Sequence, residues 1–316
     1  MTDNLLIVPA TRDTEWIRDV LPGTSPAELP VAGRRFVDYA LELAHGFDAV
    51  FLEILDSHFS PRLEKSFSEP TATGFPVFYA KGPDAVPAGL RDIEGFSSPL
   101  TGTLTDGLFV VWGVAITLDG VAADSFEELP ESEVLATPPG LYRRRGGKWW
   151  RCVPGGMSID GLKAWHRLNF AVLHHPGLFT LPGYSAERNV HLGRNVVLER
   201  GATVKPPVLI QDNAWCARNV SLDGDVIVGA GSFISEGATL RRTVVCDSTF
   251  IGEGLELDGK IVCGGRIIDP SAGVWTDADD AGVACRIGMD GCGRGFFGRL
   301  FGAVAAFLRG RWWGSA

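Results

Sequence analysis

At 316 residues and 33.9 kDa the chain has room for two domains and hardly for a third. Apolar residues make up 45% of it and charged residues 21%, which excludes a largely disordered chain, and a formal charge of −9 excludes a protein whose main work is gripping phosphate backbone, so nucleic acid is not an expected partner. Six cysteines without a CxxC pair are too sparse for a disulfide scaffold or a zinc ribbon.

In chain order, residues 4–10, 49–55 and 108–114 read as β-strands, with a helical pattern over 34–44 between the first two. Strands alternating with helices predict a parallel α/β layer. The N-terminus has an acid at Asp3 and only a short apolar run, the reverse of a signal peptide, so a cytoplasmic location is expected. Residues 130–140 read as a loop, and Lys148-Trp149-Trp150 as the approach to a second domain. Ser158 can cap a helix over 159–173, where Leu162, Trp165, Leu168, Asn169 and Val172 recur at helical spacing. His166 and Asn169 read as a satisfied polar pair at the junction. His174, His175 and His191 have no carboxylate or cysteine at ligand spacing, so no metal site is expected from them.

From Leu192 one register organises the second half. Leu192, Leu198, Val204, Ile210, Cys216, Leu222, Val228, Ile234, Leu240 and Cys246 recur every six residues, and after one skipped residue near Phe250 the pattern resumes as Ile251, Leu257 and Cys263. Asparagine and glycine, which turn a strand sharply, lie between the anchors. A strict six-residue period of this kind predicts a parallel β-helix of a little over four coils, each coil burying its apolar side against the next. In that register Cys216, Cys246 and Cys263 are expected inside, as small hydrophobes in a reducing compartment.

This stretch resembles the hexapeptide-repeat, left-handed β-helix family. The segment Leu29-Pro30-Val31-Ala32-Gly33-Arg34-Arg35-Phe36-Val37-Asp38-Tyr39 in turn resembles the "LPVAGKPLIEY" segment of sugar-1-phosphate nucleotidyltransferases, in which such a β-helix recurs after the catalytic domain. Together the resemblances imply an α/β Rossmann-like nucleotidyltransferase-type domain (1–157), a connector helix and loop (158–185), a left-handed parallel β-helix (186–275), and a glycine-rich joint with an amphipathic helix (276–316).

The departures bear on function. The family's glycine-rich phosphate loop corresponds to Pro9-Ala10-Thr11-Arg12-Asp13-Thr14-Glu15, which has no glycine; its lysine corresponds to Ala27, and its magnesium aspartate to Val114. Since catalysis of this transfer is positioning plus charge neutralisation, the expectation is a domain silent for metal-dependent nucleotidyl transfer, with Mg²⁺ relevant only to a displaced site. Arg12, Asp13, Arg34, Asp106 and Asp119 are the polar groups placed near the expected cleft. The function expected is that of a binding or scaffolding relative in nucleotide-sugar or envelope-polysaccharide metabolism, with a nucleotide sugar or sugar phosphate as ligand and a homotrimer as the assembly. A hexapeptide-repeat acyltransferase and a purely structural oligomerisation module are the alternatives.

Beyond the joint at 288–295, Phe297, Leu300, Phe301, Val304, Leu308 and Trp312 fall on one helical face, and no acid follows Asp290. Two readings of 296–313 stand: a helix that covers the open end of the solenoid or packs on the first domain, and one that meets a partner or lies at the inner face of the membrane.

Overall fold

The computed structural model describes residues 4–9, 15–42, 47, 49–55, 61–68, 77–82, 107–116, 126–134, 137–152 and 157–287. Arg12, Asp13, Asp106 and Asp119, and the amphipathic segment 296–313, lie outside the described residues. The chain forms two units, Met1–Leu181 and Pro182–Ala316.

The first unit is built on a seven-stranded mixed sheet in the order Val77–Gly82, Ala49–Leu55, Asn4–Val8, Leu108–Trp112, Gly140–Arg145, Lys148–Cys152, Phe126–Glu128. The first four run parallel and the rest are added antiparallel. Leu5, Leu6, Ile7 and Val8 are all buried, as a central parallel strand covered on both faces requires. Lys148–Cys152 thus belongs to this sheet and does not lead out of it, because Trp149 packs into the apolar cluster of Leu6, Val110, Trp112 and Tyr142. The helix expected over 34–44 spans Phe36–Glu42 and buries Phe36, Val37, Tyr39, Ala40 and Leu41. The connector helix spans Leu162–His174 with Gly161, not Ser158, at its cap; Ser158 is spent in a short strand opposite Ala115. The stretch read as a loop at 130–140 holds one helical turn, Glu131–Val134.

The second unit is a three-sided parallel β-solenoid of about four coils. Val190 stacks on Val208 and Val208 on Val226, so the first coils are eighteen residues long. Asparagine and glycine take the left-handed conformation at the corners, in columns such as Asn195, Asn213 and Gly231, and Asn219, Gly237 and Gly254. Gly229 is required by stacking as well: a Cβ there would stand 2.5 Å from the backbone nitrogen of Asp247 on the next coil. The interior is filled by Ile210, Cys216, Leu222, Val228, Ile234, Leu240, Val245, Ile251, Leu257 and Val262, with small residues such as Ala214, Val220 and Ala238 between them.

Two parts of the sequence register are corrected. Val226 stacks on Thr243 and Val244 on Ile261, seventeen residues apart, so the third and fourth coils are each one residue short. The skips fall at corners, between Leu240 and Val245 and between Leu257 and Val262, and not near Phe250. Val245 and Val262 therefore point inward where Cys246 and Cys263 were expected. Those two cysteines lie on the corner side of the anchors, Cα atoms 4.9 Å apart on successive coils, and are joined by a disulfide. Cys216 is buried as expected. Beyond Ile261–Cys263 the chain turns back through antiparallel strands Arg266–Asp269 and Val274–Asp277, and Ala284–Arg286 runs antiparallel to Thr249–Ile251. Among the described residues no helix is long and apolar enough to cross a membrane.

Candidate functional site

In the first unit the chain passes from Asn4–Val8 to Ala49–Leu55 and Val77–Gly82 on one side, then crosses to Leu108–Trp112 on the other. The strand order reverses between Asn4–Val8 and Leu108–Trp112, and the crevice outside the carboxyl ends of such a pair is where open α/β sheets bind ligands. At that edge Gly113, with φ 71°, donates its N–H to the carbonyl of Val8 at 2.9 Å. Val114 follows, buried, with its carbonyl accepting the N–H of Ile159 at 2.8 Å.

The segment around Val31 forms a hairpin in which Val31 pairs with Arg34 across Ala32 and Gly33, both at positive φ (41° and 80°). A turn of this kind leaves backbone groups without ladder partners, and the connector helix satisfies them. Asn169 Oδ1 accepts the Ala32 N–H at 2.7 Å, Asn169 Nδ2 donates to the carbonyl of Trp165, and Trp165 Nε1 donates to the carbonyl of Pro30 at 2.6 Å. From the other side the Tyr39 hydroxyl donates to the carbonyl of Val31 at 2.9 Å, and burial pushes its phenol well above the usual range, so it stays a neutral donor. The same helix packs on Met157–Ser158, which pairs with Ala115–Ile116 directly after Val114. Hairpin, helix and the end of the fourth parallel strand are thus one connected assembly.

The structure gives Arg34 a positioning task. Its guanidinium donates to the Glu42 carboxylate and to the carbonyl of Thr180 at 2.7 Å, and lies 4.8 Å above the Tyr39 ring. Arg35 is likewise held by Asp38, at 2.7 Å, and by Ser66. Ala27, in the turn Pro26–Glu28, is fully buried, as is Val114. Neither position offers an oxygen to a hard cation or a charge to a phosphate, so the residues present do not fit Mg²⁺ there. The His166 ring stands edge-on to Phe170 at 4.8 Å. The sequence places Asn169 at the junction but not against Ala32, because the acceptor requirement arises from the positive φ at Ala32, 137 residues away. Among the described residues no three His, Cys, Asp or Glu side chains come together as a metal site.

On the solenoid, His191 lies on the outer side of the first strand, opposite Leu209, and burial lowers its imidazole pKa. One outer face carries an aromatic stack, Trp215 on Phe233 at 6.1 Å and Phe233 on Phe250 at 5.9 Å, with Trp215 Nε1 donating to Glu199 at 2.9 Å. Another is polar, with Thr203, Ser221, Thr239 and Glu256 in register. No protein-family model matches the chain, and no curated protein aligns with it significantly.

Proposed function

We propose that the chain is a nucleotidyltransferase-like protein of nucleotide-sugar or envelope-polysaccharide metabolism, which binds a nucleotide sugar or sugar phosphate in a Rossmann-like first unit without performing metal-dependent nucleotidyl transfer. The observation that carries the reading is the connected assembly at the strand-order reversal: the Val31–Arg34 hairpin is held rigidly by Asn169, Trp165 and Tyr39, while Ala27 and Val114 put apolar side chains where the resembled enzymes need a cation and a carboxylate. A rigid, preorganised turn beside a crevice serves binding; phosphoryl transfer needs charge that these positions do not supply. The solenoid, proposed to be left-handed, then serves as the scaffold through which copies associate, a trimer first.

Calorimetric titration of the full chain with UDP-glucose, dTDP-glucose, glucose 1-phosphate and acetyl-CoA, each with and without Mg²⁺, tests this. Saturable binding of a nucleotide sugar or sugar phosphate, undiminished by chelator and without pyrophosphate chemistry, is expected. Binding of acetyl-CoA alone would favour an acyltransferase, and chelator-sensitive pyrophosphate release would overturn the silent site.

A further inference from the structure

The disulfide between Cys246 and Cys263 joins two successive coils at the place where the parallel solenoid stops. The backbone already joins these coils: Val245 stacks on Val262, and the Cys246 N–H donates to the carbonyl of Val262 at 2.8 Å. The two half-cystines are only seventeen residues apart in sequence, and short loops gain least from being closed. The coil does not depend on the bond for its path. Both half-cystines are partly exposed, within reach of a small thiol, whereas Cys216 is fully buried in the interior and burial pushes its thiol up to about 12.

What the bond fixes is a turn. Cys263 is followed by Gly264, at φ 60°, where the chain reverses into the antiparallel strand Arg266–Asp269. A run of hydroxyls ties this turn to the first half-cystine: the Gly264 N–H donates to Thr249 Oγ1 at 2.9 Å, the Thr249 N–H to Ser232 Oγ at 3.2 Å, and Ser232 Oγ to the carbonyl of Cys246 at 2.9 Å. The turn also abuts the strand Ala284–Arg286, since a Cβ on Gly264 would stand 3.1 Å from the Arg286 Cβ. That strand lies on Thr249–Ile251 and puts Ala284, 1% exposed, into the interior cluster with Ile251, Leu257 and Val262. It closes this end of the core.

We infer that Cys246 and Cys263 form a reversible redox latch, whose reduction loosens the turn at Gly264 and, through it, the closing strand Ala284–Arg286. The co-reactant is a low-molecular-weight thiol–disulfide couple of the glutathione class. A thiolate of that couple attacks one cystine sulfur, breaking the S–S bond and forming a mixed disulfide; a second such thiol then takes over that partner as the free disulfide. Two thiols are oxidised to one disulfide, and their two electrons and two protons leave Cys246 and Cys263 as thiols. The oxidised couple runs the same steps backwards. The device is independent of what the first unit binds.

The test uses the full chain without denaturant, equilibrated in glutathione buffers from oxidised to reduced. Peptide mass spectrometry reads the Cys246–Cys263 link, and hydrogen exchange reads the backbone. The link is expected in oxidised buffer and lost in reduced buffer, with exchange in 261–269 and 284–287 accelerating roughly tenfold or more on reduction while Val208–Ile210 and Val226–Val228 stay protected. Cys246→Ser with Cys263→Ser should exchange fast at the same strands in every buffer. Thiols that stay unpaired in oxidised glutathione, a link that survives reduced glutathione until the chain unfolds, or exchange that is the same in both states would each overturn the inference. So would a redox response that persists in the double serine variant, which would assign it to another cysteine.

Discussion

Asn169 and Ala32 stand 137 residues apart in sequence and are joined by one buried hydrogen bond, the Ala32 N–H donating to Asn169 Oδ1 at 2.7 Å. Asn169 is 2% exposed and Ala32 0%, so water cannot replace either partner. Asn169→Leu keeps a branched side chain of similar shape but leaves the Ala32 amide unsatisfied, and should destabilise the first unit by about 1–3 kcal/mol. Exposed Arg167→Ala, one turn-face away, should change little. Urea unfolding followed by tryptophan fluorescence measures both, and equal midpoints would remove Asn169 from its place as the clamp.

The solenoid was legible because its period is a one-dimensional property: each coil repeats the demands of the last, so Ile210, Cys216, Leu222 and Ile234 could be placed inside without any long-range knowledge. Its register beyond Leu240 was not, since Val244, Val245 and Cys246 are all apolar and any of them could serve as the anchor; only the shortened corner at Arg242 decides among them. Neither the hairpin at Val31 nor its clamp was legible. The need for an acceptor at Ala32 comes from a positive φ, and the residue that meets it comes from a helix far along the chain.

The short corners make an insertion experiment informative. One glycine inserted after Arg242 lengthens the third coil from seventeen residues to the eighteen of its predecessors and leaves every downstream side chain facing as before; the cost should be below about 1 kcal/mol. The same glycine inserted after Val244 turns Val245 outward and Cys246 inward, and should cost several kcal/mol, since a one-residue slip exchanges the faces of a strand. Chemical denaturation of the two variants that gave the same loss would refute the corrected register.

The acid end of the stability profile should depend on Asp269. Its carboxylate is held far below the usual range first by the Lys260 ammonium at 2.6 Å, then by the Ser271 hydroxyl and the N–H groups of Ala272 and Ser271. A carboxyl whose folded pKa is depressed contributes stability above its unfolded pKa of about 3.9 and loses it as pH falls through the lower folded value. Asp212, Asp223 and Asp277 are shifted the same way by Arg194, by Lys205 and Arg241, and by Arg266. Asp269→Asn should therefore melt below the parent at pH 7, with the gap narrowing below about pH 4. A gap that widened in acid would contradict the assignment.

Replacing Val114 by Asp and Ala27 by Lys would restore the residue types of the resembled enzymes, yet both positions are sealed from water. A charge introduced there has no partner and should cost several kcal/mol, so each variant should lose melting temperature and gain no pyrophosphorylase activity. The prediction separates a silent site from a dormant one. Turnover with dTTP and glucose 1-phosphate in the double variant, measured as pyrophosphate release, would show that only two side chains stood between this chain and catalysis.

Self-association, proposed as a trimer, has one solenoid face best suited to it. The outer row of Leu209, Ile227 and Val244 is already buried within a single chain, and the aromatic face is partly covered near its foot, where Phe250 packs with Cys285 and Ile287. The face of Thr203, Ser221 and Thr239 is left, lined with hydroxyl side chains and flanked by the ion pairs of Asp223 with Lys205 and Arg241. Such a contact is polar, so its strength should fall as salt screens it. Thr239→Arg at the centre of the face introduces a like charge against its symmetry mates and should convert the assembly to monomer while leaving the melting of each chain nearly unchanged. Light scattering over a concentration series reads the result: a parent mass fixed at 33.9 kDa, or a trimer that Thr239→Arg leaves intact, would exclude this face as the interface.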